Sequence, residues 1–353
     1  MQDEKLNAAT KRALRGAFAA KNVLDFDDEI DKQILALKSR ITQDGTVQLM
    51  ELLSQYQIDF FMKVGFGRES HFLEERIPAS QWTFMPRLKH WHIFQGMPGI
   101  ERWIYQSWFT TLWRKENNSS PWMTYALSAI KSRQACSENG GGKGEERKDL
   151  LDKYIQARIT HPDIFDDDGL LRMVTSTVSA GFDTTPFTMN NIIFHLCKNP
   201  DAYVKLKEEI LQAHNDGLIS EVPRWTEVNK LPYLDAVMKE SMRLYPFLNL
   251  PLEREVPLEG TEINGYHIPA GTTIGCHANA IGLDKAFYGA DAEEFRPERW
   301  FADNHMALER NSLTFGSGKR MCIGLHIAEL EIKKTIPVMI RDFDVGYLVS
   351  VRH

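Results

Sequence analysis

The chain is 353 residues long, 43% hydrophobic and 25% charged, which supplies a large buried core and excludes a disordered chain. Its 42 basic and 48 acidic residues leave a net charge of −6, with no long Lys/Arg block, so no nucleic acid is expected as main partner. Cys136, Cys197, Cys276 and Cys322 form no C-x-x-C and no regular spacing, which points to a reducing compartment rather than a disulfide framework.

Residues 5–20, with Leu6, Ala9, Ala13 and Phe18 near helical period, read as an amphipathic helix carrying Lys11, Arg12 and Arg15. From Asp27 to Phe66 the apolar spacing predicts two helices, the first ending near Gly45. The stretch 82–113 is dense in Trp and Phe, which suits either helix packing or an amphipathic interface. Within it His90 and His92 do not share a helix face, so a metal site there is not expected. The tandem sequons at Asn117 and Asn118 are chance matches in a cytosol-facing protein. The Gly- and charge-rich run 137–147 reads as a flexible loop inside one domain, 1–353, because similar helical pattern resumes at Asp149.

Asp166, Asp167 and Asp168 then open a long helical pattern from Leu170 to about Cys197. Its centre reads Ala180-Gly181-Phe182-Asp183-Thr184-Thr185, followed at once by Pro186, where a local distortion is expected. Small residues there let a flat molecule lie on the helix, and Asp183 and Thr184 are suited to passing protons. Thr and Asp bonding back to the backbone is the structural alternative.

Glu240 and Arg243 stand at i,i+3 on a further helix, a weak signal alone. Pro246–Leu252 reads as an extended apolar path, with strands expected at 255–257, 262–268 (turning at Asn264-Gly265) and 272–277. Phe295-Arg-Pro-Glu-Arg-Trp300 follows. Phe315-Gly-Ser-Gly-Lys-Arg-Met-Cys-Ile-Gly324 then sets one cysteine in a glycine-rich turn two residues after Arg320. Gly316, Gly318 and Gly324 allow backbone conformations closed to other residues, and nearby N–H groups and positive charge favour a thiolate at Cys322. Leu325, Ala328, Ile332, Ile336 and Met339 make one apolar helix face behind it.

Phe315, Gly318, Arg320, Cys322 and Gly324 match F-x-x-G-x-R-x-C-x-G, and the pattern resembles the haem-binding signature of the cytochrome P450 family. Residues 180–185 resemble that family's oxygen-activating helix motif, and Glu240, Arg243 and Arg299 its buried structural triad. The resemblance implies a mainly α fold with small β-sheets, beginning near the family's C helix. It implies Cys322 as axial thiolate of a haem iron, whose electron donation favours O–O cleavage. Phe315, Gly316, Gly324, Ala180 and Gly181 are then expected beside the haem, Arg320 against one propionate, and Lys11 or Arg12 against the second. A solvated basic helix face remains the alternative for Lys11 and Arg12.

Implied too is a monooxygenase that hydroxylates a lipophilic small molecule, with dioxygen and electrons passed from NADPH by a reductase; the style of the motifs resembles fungal enzymes of secondary metabolism. Stretch 82–113 corresponds to the roof of the substrate pocket, which often touches the membrane surface. Members usually carry an anchor, the first strands of the main sheet and a pocket-covering loop ahead of the C helix. The chain is therefore expected to be an N-terminally truncated form, cytoplasmic as written, where full-length members sit on the cytosolic face of the endoplasmic reticulum. Rival readings are a non-catalytic haem-binding fragment and a haem-thiolate isomerase or dehydratase, against which Asp183 and Thr184 argue.

Overall fold

Apolar spacing at helical period over most of the chain builds a mainly helical protein with two small antiparallel sheets, seen in a computed structural model that describes residues 4–82, 121–138 and 149–346 with positions 97, 99–100 and 103. The longer helices are α1 (Glu4–Phe18), α2 (Asp27–Asp44), α3 (Leu49–Phe66), α4 (Pro121–Glu138), α5 (Leu150–Thr160), α6 (Asp167–Lys198), α7 (Pro200–Asn215), α8 (Pro232–Leu244) and α9 (Leu325–Asp342). Most of the aromatic stretch 82–113, with the sequons at 117 and 118, and most of the glycine-rich run 137–147 lie outside the described residues.

The chain divides into two compact units, one of residues 1–190, 220–225 and 323–339, the other of 191–219, 226–322 and 340–353. In the first, α3 is buried along nearly its whole length, polar side chains included. Two of those polar groups find partners on α9: Gln57 donates to both carboxyl oxygens of Glu331 at 3.0 and 3.2 Å, and the Tyr56 hydroxyl lies 3.1 Å from that of Thr335. Lys334, fully buried on α9, bonds Asp27 and Asp31 of α2, satisfying a charge that could not otherwise be interior.

Helix α2 stops at Gly45 (φ 69°), the expected terminator. Helix α1 forms where expected but is turned by about one position. Its buried stripe is Asn7, Thr10, Leu14, Ala17 and Phe18, and Leu6 is exposed. The bulky Leu14 and Phe18 decide the rotation, with Phe18 packing on Tyr154 of α5 at 6.3 Å between ring centroids. Ala9 and Ala13 have too little surface to compete.

In the second unit, β1 (Pro251–Glu255) pairs antiparallel with β4 (Thr273–His277), Pro251 opposite His277 and Glu255 opposite Thr273. This first strand lies four residues earlier than its sequence pattern suggested. Pairing with β4 sets its position, and a proline opening an edge strand costs the ladder no needed donor. β2 (Thr261–Ile263) and β3 (Tyr266–Ile268) make the expected hairpin, with Asn264 and Gly265 both at positive φ as a type I′ turn requires.

Candidate active site

After the short helix 305–311 the chain enters a turn in which Gly316 (φ 71°) donates its N–H to the Leu313 carbonyl at 2.9 Å. Gly318 (φ 63°) opens a single helical turn through Arg320, and the Cys322 N–H closes the loop onto the Phe315 carbonyl at 2.8 Å. A Cβ on Gly316 would make only ordinary contacts, at 3.6 Å from the Arg320 carbonyl, so the left-handed backbone and not crowding demands glycine there. Gly324 is not among the positive-φ glycines of the described residues, contrary to the conformational role expected for it. The loop leaves Cys322 exposed, with Phe315, Gly316, Arg320 and Gly324 half-buried.

This donor set fits a haem. Cys322 offers one exposed thiol on the glycine-rich turn, with the Arg320 guanidinium two residues before it in sequence. One axial thiolate serves an iron already held by a macrocycle, whereas a bare ion needs three or four protein ligands.

In the first unit, α6 starts where Asp166 accepts from the Gly169 N–H, and it runs unbroken through Pro186. Ala180 is exposed and Thr184 half-buried on one stripe, four residues apart, and the Thr184 hydroxyl donates to the Ala180 carbonyl at 3.0 Å. Asp183, 1% exposed, points into the protein. Gly181, expected beside a flat cofactor, sits on the packed side instead. A Cβ there would fall 2.1 Å from Cζ of Phe61 on α3, so its smallness admits that ring. Phe61 in turn meets Phe182 edge-on at 6.1 Å. On α1, Lys11 is half-buried and Arg12 exposed.

Glu240, Arg243 and Arg299 come together in the second unit at 0%, 2% and 3% exposure. Arg243 clasps Glu240 through Nη2 and Nε at 2.7 and 2.9 Å, and Arg299 Nε reaches Glu240 Oε1 at 2.8 Å. Two further donors were not foreseen: the Arg296 N–H at 2.9 Å and the Trp300 indole at 3.0 Å. Both guanidiniums also donate to backbone carbonyls, Arg243 to Gly282, Ala292 and Glu294, Arg299 to Tyr288, Asp291 and Glu294, and Arg299 Nη1 lies 3.5 Å from the Asp291 carboxylate. The triad thereby ties α8 to residues 282–300.

No helix among the described residues is long and apolar enough to cross a membrane. The family model for cytochrome P450 matches residues 7–351. The chain is 30% identical to a cytochrome P450 monooxygenase of Aspergillus terreus, over 99% of this chain and 73% of that protein. It is 30% identical to the cytochrome P450 monooxygenase cicH of Emericella nidulans, over 98% of this chain and 70% of the relative. For the cytochrome P450 monooxygenase gsfF of Penicillium aethiopicum the identity is 31%, over 97% and 70%.

Proposed function

Because this chain belongs to the cytochrome P450 family, we propose that it inserts one oxygen atom from dioxygen into a lipophilic small molecule of fungal secondary metabolism, with electrons drawn from NADPH through a partner reductase. The observation that carries the reading is the exposed Cys322 thiol on a loop held open by two left-handed glycines. Fungal monooxygenase relatives support the same direction.

When bound, the haem supplies iron redox chemistry that cleaves dioxygen. Cys322 Sγ is the group that would hold that iron, the Arg320 guanidinium suits one propionate carboxylate, and Lys11 or Arg12 suits the second. Phe315, Gly316 and Gly324 form the loop around the thiolate, and Ala180 keeps its stretch of α6 free of bulk. The Thr184 hydroxyl, which donates to Ala180, can turn from that carbonyl and pass a proton, and Asp183, which points into the protein, is the acid that would resupply it on turning toward Thr184. Glu240, Arg243 and Arg299 hold the segment that leads to residues 315–322.

The test supplies the haem-loaded protein with NADPH, a fungal reductase, ¹⁸O-labelled dioxygen and a panel of lipophilic molecules. One ¹⁸O atom per product molecule is expected. A product that forms without label, as in isomerisation or dehydration, would contradict the reading.

A further inference from the structure

Near the C-terminal end of α6, His195 is 5% exposed, and its Nε2 is buried with no hydrogen-bond partner. An aromatic box encloses the imidazole. It stacks flat on Phe295 (4.8 Å, 4°), leans on Tyr245 at 5.2 Å, and meets Phe194 edge-on at 5.5 Å. Phe295 stands between two residues of the triad's hydrogen-bond frame. The Glu294 carbonyl accepts from Arg243 and Arg299, and the Arg296 N–H donates to Glu240. The ring that His195 supports is therefore an apolar contact, beside the buried Pro297 and Trp300, of the segment that the triad holds by polar bonds.

We propose that His195 is a positioning residue for this segment and acts as an acid-sensitive latch: the neutral ring keeps Phe295, and with it residues 294–300, in register, and protonation releases them. The physical basis is local. A charged imidazolium here would keep Nε2–H without an acceptor, away from water, and neutral stacking on Phe295 would be traded for a desolvated cation. The charged groups that face it do not offset this: Glu240 attracts, whereas Lys198 and Arg243 repel. Burial above all, then those two cations, pull the ring's pKa down from 6.5 to about 4.

The sign follows directly. In an opened segment the ring takes a proton near its ordinary pKa, whereas in the closed one it does so only near 4. Opening thus becomes easier as pH falls through that window, by up to ~300-fold, the factor set by two and a half pKa units. Above it the latch is fully closed.

The experiment follows amide hydrogen exchange of residues 294–300 in the haem-loaded protein, corrected for intrinsic rates, together with the His195 ring resonance, between about pH 7 and about pH 4. His195→Phe keeps an aromatic ring in the box and removes the titration. The wild type should lose protection at least about tenfold more than His195→Phe over the window, and the His195 ring should stay neutral until near the bottom of it. Equal acid dependence in the two proteins would overturn the proposal. So would a ring that titrates at the ordinary histidine value, a measurement on the wild type alone that decides even if the variant does not fold.

Discussion

Arg299→Ala is the perturbation to which the triad geometry assigns the largest cost. The side chain is 3% exposed, and it gives one charged bond to Glu240 at 2.8 Å and three to carbonyls at 2.7, 3.0 and 3.4 Å. Its loss leaves Glu240 buried with one of its two cations and takes one donor from each of the Tyr288, Asp291 and Glu294 carbonyls, of which Glu294 keeps Arg243 and Asp291 keeps the Glu294 N–H. At about 1 kcal/mol per neutral carbonyl bond, plus about 1.5–3 kcal/mol for the charged one, the sum is about 4.5–6 kcal/mol, at or just above the ~3–5 kcal/mol expected for halving a buried ion network. Arg299→Lys should cost roughly half, since it keeps the charge but not the planar fork. Lys205→Ala is the control: its pair with Glu298 is as short, 2.6 Å, but both side chains are substantially exposed and screened by water, so its loss should scarcely change stability. Because the chain has two units, a single two-state midpoint is a poor readout. Local opening of residues 282–300 should be measured by hydrogen exchange instead. An Arg299→Ala cost as small as the control's would refute the reasoning.

Gly181→Ala should destabilise by about 1–3 kcal/mol, because the new methyl meets the Phe61 ring at 2.1 Å. Hydrogen exchange of α3 and α6 should show partial rescue when Phe61→Leu is added, and no coupling between the two changes would sink the explanation. Thr184→Ala should keep haem and substrate binding yet divert NADPH into peroxide; unchanged coupling of NADPH to product counts against the relay. Glu331, buried opposite Gln57, has its carboxyl pushed up to about 8 by desolvation. The folded state then holds a proton that the unfolded state gives up from about pH 4.5, so this contribution to stability declines as pH rises from there to about 8. Glu331→Gln should flatten that part of the urea-denaturation profile, and an unaltered slope would show that the carboxyl is already charged.

Motifs were legible where chemistry ties residue types to close spacing. Glu240 and Arg243 share a helix turn, and Arg299 is marked by the Pro-Glu-Arg-Trp run around it. The Trp300 indole and Arg296 N–H were not, since a tryptophan reads as bulk until its donor is seen to reach a carboxylate. Nor could periodicity find the rotation of α1: alanines and bulky residues count alike in a pattern, but only Leu14 and Phe18 bury much surface. Gly181 was read beside Ala180 as one small-residue platform, yet adjacent helix positions point about 100° apart, so only one of the two can face the open stripe. The His195 box draws its rings from positions 194, 245 and 295, too far apart in sequence for any local pattern to join them.

The central claim is that the Cys322 sulfur is the axial ligand of a haem. The reduced, carbon monoxide-bound protein should show the red-shifted Soret band of a cysteinate-ligated haem, and Cys322→Ser should abolish it while Cys276→Ser, an exposed cysteine on β4, leaves it intact. A Cys322→Ser protein that kept the red-shifted band would contradict the assignment.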